Sequence, residues 1–523
     1  MRYIDKSVRY FLAFMMAVII YLILLSHVDY VCKNEYLQSN IILLILDFIL
    51  FLIMMRGATL AKKIISGFEC YCDRLVLVIT IFLFCIEMYI AFNIHFMTGW
   101  DAGAVWENAY SIAFSDSANL NNYYYSQNPN NLLITSIGAL VLKINSAFGV
   151  FIGDDQYLSL IFINCVFIST ACFMVYKILN YFVSKFWAFA GFILSVILIG
   201  LSPWMVIYYS DTLGLLFPVL IIYIFIHPVN KKWKNVIKYI IIYLLSSLGY
   251  YIKPQILIVT IAIFIIQMCY GIFSSKKEVI INILIILGMV LCLNVVGQCL
   301  NIVYEKEGFL IDNEARFGMT HYFMMGLNEE RNGVWAEEDV FTSSSCQTAK
   351  ERRTVNIDIS IQRLKDFGIL GYARHLSKKI LCTFNDGTFA WRHEGRFFLM
   401  LYNEPNTQAA AMLRSFYYED GQNLFKYMTY KQSIWIFILL MVLLASLWYR
   451  DAINARKVSI IMLSIIGIIV FELLFEVRAR YLFAFTPLFC IIAIIGARET
   501  WTKINNVFYK LSVIYHHRHT KKT

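Results

Sequence analysis

Three cations occupy short turns between long apolar stretches of this 523-residue chain. Lys253 lies in Tyr-Tyr-Ile-Lys-Pro, and Arg478 and Arg480 lie in Glu-Val-Arg-Ala-Arg-Tyr. Together they would form a good receptor for a phosphate or pyrophosphate group, because both cation types make charge-assisted hydrogen bonds to phosphate oxygens. The alternatives are a snorkelling lysine and an ion-pair ladder of Glu472, Glu476 and Arg480, which would share one face if their helix continued.

Two acids lie in similar settings. Asp101 stands in Gly-Trp-Asp-Ala-Gly, and Asp211 stands in Tyr-Tyr-Ser-Asp-Thr directly before an apolar run. Capping a helix N-terminus is the simpler role for each of them. The glycines and aromatic residues around Asp101 favour a functional role there, whereas Asp116, in Ser-Asp-Ser, suits a turn.

The stretch Tyr-Tyr-Tyr-Ser-Gln-Asn-Pro-Asn-Asn at 123–131 combines aromatic rings with side-chain amides. Aromatic residues are common at membrane–water interfaces. Rings and amides together are also typical of a surface that stacks on sugars and bonds their hydroxyl groups, so Tyr125, Gln127 and Asn128 are candidate substrate contacts. The composition leaves both interpretations open.

The composition indicates the class of protein to which these residues belong. Hydrophobic residues make up 59% of the chain and charged residues 15%, with a mean hydropathy of +0.64, which excludes an ordinary soluble enzyme and a disordered chain. The net charge of +10 comes from Lys and Arg in short segments between apolar runs, so we expect topological anchors and no nucleic-acid partner. The twelve cysteines, mostly within apolar runs, are expected to be small hydrophobic residues.

The apolar runs predict an all-α polytopic membrane protein with about twelve transmembrane helices, since about 20 apolar residues cross a bilayer. The predicted spans are 10–28, 39–55, 75–95, 157–176, 187–207, 212–227, 236–252, 255–273, 279–303, 433–449, 457–475 and 481–497. The run 131–152 is ambiguous. All the basic loops become cytoplasmic only if 131–152 does not cross, so we expect an outer juxtamembrane helix there and both termini in the cytoplasm.

This topology divides the chain into four parts. Residues 1–303 form an N-terminal transmembrane module with an outer loop at 96–156. Residues 304–432 form a mostly helical extracytoplasmic segment, 433–497 contain the C-terminal transmembrane helices, and 498–523 form a basic cytoplasmic tail. All the candidate residues then meet at the outer face of the plasma membrane.

The order of these motifs resembles the C-type (GT-C) integral-membrane glycosyltransferases, which use polyprenyl-phosphate-linked sugars. That superfamily includes protein O-mannosyltransferases and the lipid A aminoarabinose transferase. The resemblance covers most of 75–497 and is greatest to bacterial members that act on cell-surface polymers. The matching motifs are GWDAG, YSQNPNNLL, SPWMVIYYSDT, the KP turn and EVRARYL, and THYFMMGLN and DGTFAW also look similar.

The resemblance implies an inverting transfer of sugar from a polyprenyl-phosphate donor to a glycopolymer, lipid or protein. It implies that Asp101 is the general base and that Lys253, Arg478 and Arg480 stabilise the leaving lipid phosphate. Asp211 would bind sugar hydroxyls, hold Lys253 or assist a divalent cation.

The segment 304–432 would close over the acceptor, with contributions from Trp391, His393 and Glu394. The first outer loop lacks the adjacent acid pair of many members. A requirement for Mg²⁺ or Mn²⁺, held by Asp101 and Asp211, is therefore left open, and no other cofactor is expected.

A transporter or flippase of lipid-linked saccharides is the alternative function. Asp47 and Glu87 support it, because acids within a membrane are commonly functional. The long segment 304–432 and the clustering of unusual charges at one surface oppose it. A scaffold without chemistry would leave the outer cations unexplained.

Overall fold

The computed structural model describes residues 2–26, 36–60, 67–114, 120–395, 399–400 and 407–520. In chain order, its α-helices within these ranges are α1 (Arg2–Leu25), α2 (Asn40–Leu60), α3 (Cys72–Ile94), α4 (Asp101–Phe114), α5 (Asn122–Gln127), α6 (Leu132–Phe148), α7 (Leu158–Phe182), α8 (Lys185–Ser195), α9 (Ser210–Gly214), α10 (Leu216–Ile226), α11 (Lys232–Ile252), α12 (Leu257–Ile272), α13 (Lys276–Glu307), α14 (Met319–Gly326), α15 (Glu337–Ser344), α16 (Ala349–Phe384), α17 (Gln408–Tyr417), α18 (Leu424–Trp448), α19 (Ala455–Leu474) and α20 (Thr486–Thr520).

Short elements connect these helices. The 3₁₀ turns are Pro129–Asn131, Gly153–Tyr157, Pro203–Val206, Pro254–Ile256, Asn313–Ala315 and Ala479–Phe485, and the π-helical turns are Val196–Gly200 and Trp391–Gly395. The strands β1 (Met97–Thr98) and β2 (Leu399–Met400) pair antiparallel, with Met97 opposite Met400. This pairing joins the start of the first predicted outer loop to the end of the predicted outer segment.

The all-α polytopic membrane fold is confirmed. Within the described ranges, eleven helical segments are long and apolar enough to cross a membrane, and two shorter apolar helices, Lys185–Gly200 and Ser210–Ile226, accompany them. Each of the twelve predicted spans overlaps one of these helical segments within the described ranges. The ambiguous run 131–152 falls on Pro129–Phe148, which meets the same length and composition criterion. Its interfacial orientation, and the cytoplasmic position of the termini, stay predictions.

The predicted span 433–449 begins well inside the helix that contains it. Helix α18 begins at Leu424 rather than at 433, because its polar residues are satisfied inside the bundle. The Lys431 ammonium donates to the carbonyls of Ile197 and Leu198 at 2.7 and 2.9 Å. The Gln432 amide donates to Asn385 Oδ1 at 2.8 Å. The end of segment 304–432 is therefore part of the helical core.

Helices α18 and α20 pack closely against each other at the centre of the bundle. Their closest approach is at Gly496, where an added Cβ would overlap the Met441 carbonyl oxygen. Helix α1 packs on α18 and α19, and α6 packs along α4. The packing of α6 on α4 and of α1 on α19 helps to position two candidate residues, because α4 begins with Asp101 and α19 ends just before Arg478.

Candidate functional site

Asp101 is the first residue of α4, and its carboxylate is held by two tyrosines from distant parts of the chain. The Tyr124 hydroxyl donates to Oδ1 at 2.8 Å, and the Tyr209 hydroxyl donates to Oδ2 at 3.1 Å. The Asn131 amide in turn donates to the Tyr124 hydroxyl at 2.5 Å. Asp101 remains partly exposed, so its carboxylate is oriented and still accessible.

The two tyrosines stay protonated and can act as donors. Burial raises the pKa of Tyr124, and the charge of Asp101 raises it further. Burial likewise raises the pKa of Tyr209, with Asp101 again the next contribution. Within the described part of the chain, the Asp101 carboxylate accepts no hydrogen bond from a backbone N–H of α4. The structure therefore gives no support to an N-cap role for Asp101.

Asp211 is buried and lies between two cations. The Lys253 ammonium binds Oδ1, and Arg480 Nη1 donates to Oδ2 at 2.9 Å. The Lys253 ammonium also lies 4.6 Å from the centre of the Tyr481 ring. Since both carboxylate oxygens are engaged, Asp211 stabilises the two cations and holds them together.

Glu394 bridges the two arginines of the Glu-Val-Arg-Ala-Arg turn. Its Oε1 accepts from Arg478 Nη1 at 2.7 Å, and its Oε2 pairs with Arg480 Nε. On its other side, Arg478 Nε donates to Glu476 Oε1 at 3.2 Å. The result is one chain of alternating charges that runs from Glu476 through Arg478, Glu394, Arg480 and Asp211 to Lys253. We call these six residues the ion-pair chain.

The ion-pair chain changes the expected character of the cations. Three acids neutralise three bases, so it has no net charge, whereas the sequence suggested an open receptor. The Arg478 side chain is 19% exposed, against 8% for Arg480 and 4% for Lys253. Arg478 is therefore the cation best placed to meet a ligand. Lys253 and Arg480 are more deeply buried and support it within the ion-pair chain.

The charges of the ion-pair chain reinforce one another. Burial raises the pKa of Glu394, but the charges of Arg478 and Arg480 outweigh burial and hold this pKa below its ordinary value. Burial lowers the pKa of Arg478, but Glu394 and Glu476 outweigh it, so the pKa rises. Both residues therefore keep their charges at neutral pH.

Aromatic rings connect Asp101 to the ion-pair chain. The Arg480 guanidinium lies 4.5 Å from the centre of the Trp100 ring and 5.4 Å from that of Tyr209. These two rings meet edge to face at 4.8 Å. Trp100 precedes Asp101 in the chain, and Tyr209 binds the Asp101 carboxylate, so the acid and the ion-pair chain form one cluster.

The arginine turn forms because α19 ends at Leu474. The helix does not continue to Glu476 and Arg480, so the shared helical face that the sequence allowed for Glu472, Glu476 and Arg480 does not form. Glu472 instead accepts the backbone N–H of Arg478 at 3.2 Å. The buried Lys379 ammonium donates to the carbonyls of Leu473 and Phe475 at 2.9 and 2.6 Å, which satisfies the end of the helix.

The turn that presents Glu394 is set by the Asp-Gly-Thr-Phe-Ala-Trp motif. Phe389 and Ala390 adopt left-handed backbone angles, with φ of 57° and 62°, which is costly for residues other than glycine. Asp386 stabilises this turn by accepting the backbone N–H groups of Thr388 and Ala390 at 2.8 and 2.7 Å. The strained backbone leads directly into the π-helical turn that contains Glu394.

In the predicted sugar-binding stretch, the three candidate residues have partners within the protein. The Tyr125 side chain is completely buried, with its hydroxyl 2.7 Å from Thr135 Oγ1. The Gln127 amide donates to Ser344 Oγ at 3.1 Å, which ties the loop to segment 304–432. The Asn128 amide donates to the Tyr124 carbonyl at 3.3 Å. Their role as substrate contacts stays a prediction.

His393 and Trp391 lie in the same π-helical turn as Glu394. His393 is half-buried. Trp391 is buried, and its indole N–H donates to the Tyr417 carbonyl at 2.7 Å. Of the three outer-segment candidates, Glu394 is a member of the ion-pair chain. Asp116 lies outside the described residues.

Four residues that hold Asp101 and Arg480 were not among the predicted site residues: Tyr124, Asn131, Tyr209 and Trp100. Each of them lies beside or within one of the motifs described above, so the sequence indicated the right segments of the chain. Three consecutive tyrosines on a short helix point in different directions, and nothing in the sequence says which one turns toward Asp101.

The chemistry of the acids does not suit a divalent cation. Both oxygens of Asp101 accept hydrogen bonds from hydroxyl groups, and both oxygens of Asp211 are paired with cations. Among the described residues, no three His, Cys, Asp or Glu side chains converge to hold a metal ion. The two carboxylates fit hydrogen-bond donors better than they fit Mg²⁺ or Mn²⁺.

The two acids within the predicted spans have separate partners. Asp47 Oδ2 accepts from the Ser433 hydroxyl at 2.7 Å, and Glu87 Oε2 accepts from the Ser169 hydroxyl at 2.7 Å. Glu87 is completely buried. Neither acid contacts the ion-pair chain within the described part of the protein.

The model of one protein family matches residues 1–501, nearly the whole chain, and its description is conserved hypothetical integral membrane protein. The chain belongs to this family. No curated protein and no solved structure matches the chain. Membership in this family of integral membrane proteins agrees with the eleven candidate spans, and it makes the lipid bilayer the natural surroundings of the protein.

Proposed function

We propose that this protein is an inverting glycosyltransferase that uses a polyprenyl-phosphate-linked sugar. The acceptor would be a cell-surface glycopolymer, lipid or protein, and the site would face the outside of the plasma membrane. One observation carries the proposal: an accessible carboxylate, Asp101, held by two tyrosine hydroxyls, adjoins a set of fixed cations at the ends of apolar helices. General-base chemistry beside a phosphate-binding cation requires this combination.

In the proposed reaction, the oxygen of an acceptor hydroxyl attacks the anomeric carbon of the donor sugar. The bond between that carbon and the phosphate oxygen breaks, and its electron pair leaves with the polyprenyl phosphate. The hydroxyl proton passes to Asp101 and then to water. Attack opposite to the leaving phosphate inverts the anomeric configuration.

Negative charge builds up on the phosphate as it leaves, so a fixed cation at that position lowers the barrier. Arg478 uses Nη1 and Nε to bind Glu394 and Glu476. Its Nη2 has no acceptor in the described part of the chain, and its side chain retains some exposure. We assign Nη2 to the donor phosphate, with Lys253 and Arg480 fixing the turn behind it.

The test is direct. Purified protein in lipid nanodiscs is supplied with a panel of polyprenyl-phosphate hexoses and pentoses and a crude cell-wall acceptor fraction. Release of polyprenyl phosphate is followed by thin-layer chromatography, and the anomeric configuration of the product by NMR. We expect release of the lipid phosphate with inversion for at least one donor.

The alternative function, a transporter of lipid-linked saccharides, predicts the opposite result in the same experiment. A transporter would move the intact lipid-linked sugar between leaflets and release no polyprenyl phosphate. Movement of the intact donor without cleavage of its glycosidic phosphate bond would contradict the enzyme proposal.

A further inference from the structure

Helix α14, from the Thr-His-Tyr-Phe-Met-Met-Gly motif, joins the two halves of the site. Just before its start, the Phe317 N–H donates to the Gln127 carbonyl at 3.1 Å, at the end of the helix that contains Tyr124. At its other end, Gly326 packs so closely on the arginine turn that an added Cβ would lie 2.5 Å from the Phe475 carbonyl oxygen. The helix therefore extends from the Asp101 side of the site to the Arg478 side.

Tyr322 lies midway along α14 and is half-buried. Its hydroxyl has no hydrogen-bond partner in the described part of the chain, whereas Nδ1 of the preceding His321 lies 2.7 Å from the Ser343 hydroxyl. An unused hydroxyl group at a half-buried position is a natural contact for a polar ligand.

The electrostatic surroundings of Tyr322 agree with this placement. Burial raises the pKa of its hydroxyl, and the charges of Glu476 and then Asp101 raise it further. Both carboxylates therefore act on the same hydroxyl, one from each half of the site. The hydroxyl stays protonated at neutral pH and is available as a donor.

We propose that Tyr322 contacts the transferred sugar and helps to determine which sugar the protein accepts. This inference rests on the proposed function. In an in-line displacement, the attacking hydroxyl and the leaving phosphate lie on opposite sides of the anomeric carbon, so the sugar ring lies between the base and the phosphate cation. Tyr322 lies on α14, the helix that extends from the Asp101 side of the site to the Arg478 side. Its ring offers an apolar face to the sugar, and its hydroxyl offers one directional hydrogen bond.

Two lipids separate the role of Tyr322 from that of the phosphate site. One is a polyprenyl-phosphate sugar that supports turnover, and the other is the same polyprenyl phosphate without sugar. Their affinities are measured in nanodiscs for the wild type, Tyr322→Phe and Tyr372→Phe. Tyr372 is the matched control, because it is also half-buried in segment 304–432 and its hydroxyl has no hydrogen-bond partner among the described residues.

We expect Tyr322→Phe to weaken binding of the sugar-bearing lipid about three- to tenfold, as for loss of one neutral hydrogen bond. Binding of the sugar-free lipid should not change, and Tyr372→Phe should bind both lipids as the wild type does. Equal effects on both lipids, or no effect on either, would overturn the assignment of Tyr322 alone. A wild-type protein that binds neither lipid would overturn the proposed function and this inference with it.

Discussion

Replacing Arg478 tests whether its exposed guanidinium binds a phosphate or only completes an ion-pair chain. Arg478→Gln removes the partner of Glu476 and one of the two partners of Glu394. Glu394 keeps Arg480, whereas among the described residues Glu476 keeps only the Tyr481 hydroxyl, which donates at 3.3 Å. The single variant therefore leaves one largely buried carboxylate without a cation.

The size of the effect follows from this geometry. Breaking a buried ion pair by removing one partner costs about 3–5 kcal/mol, and the 19% exposure of Arg478 favours the lower end of that range. The double variant Arg478→Gln with Glu476→Gln restores the charge balance and should recover most of this stability. Loss of the phosphate contact should cost about 1.5–3 kcal/mol in transfer, or roughly ten- to a hundredfold. The double variant cannot recover that loss.

The assay compares thermal unfolding with kcat/KM for donor use in the wild type, the two single variants and the double variant. We expect the double variant to unfold near the wild-type temperature and to remain slow. A double variant that recovers both stability and transfer would show that Arg478 has a structural role alone. Arg478→Lys should restore only part of the activity, because one ammonium cannot serve Glu394, Glu476 and a phosphate in the planar geometry of a guanidinium.

Two further predictions concern pH and packing. Burial lowers the pKa of His321 to about 4, with Asp339 opposing and Arg352 adding to the shift. The unfolded chain therefore binds the proton more tightly, and about 3 kcal/mol of stability should be lost as the pH falls from about 6.5 to 4. His321→Gln should remove this component from the melting temperature measured against pH, and identical pH profiles would refute it. Gly103→Ala would place a Cβ 2.5 Å from the Thr98 carbonyl oxygen, so we expect a loss of about 1–3 kcal/mol and slower transfer. Gly57→Ala, which meets nothing within 4 Å, is its control, and equal behaviour of the two variants would contradict the packing argument.

The fold was largely predictable because a bilayer imposes one requirement on every span. A helix must present about 20 apolar residues, and that pattern is visible without knowledge of the contacts. The prediction failed at the start of α18, where Lys431 and Gln432 interrupt the hydropathy. Their partners, the carbonyls of Ile197 and Leu198 and the amide of Asn385, lie far away in the sequence.

The members of the site were partly predictable, but their pairing was not. Lys253, Arg478 and Arg480 were conspicuous because cations are uncommon in such turns. These three cations are neutralised by Asp211 and Glu394, which lie in other parts of the chain. No local pattern encodes those contacts. The same limit explains why the sequence did not show that Tyr124 binds Asp101.

The proposed function depends most on Asp101, and Asp101→Asn tests it directly. The amide keeps the size of the carboxylate and can still accept a hydrogen bond from Tyr124 or Tyr209, so expression and donor binding should persist. It cannot accept the acceptor proton, and positioned general-base catalysis contributes typically 10²–10⁴-fold. Asp358→Asn, on the exposed face of α16, is the matched control. Turnover of polyprenyl-phosphate sugar in nanodiscs should fall by about that factor in Asp101→Asn and remain unchanged in Asp358→Asn. Wild-type turnover in Asp101→Asn would contradict the account.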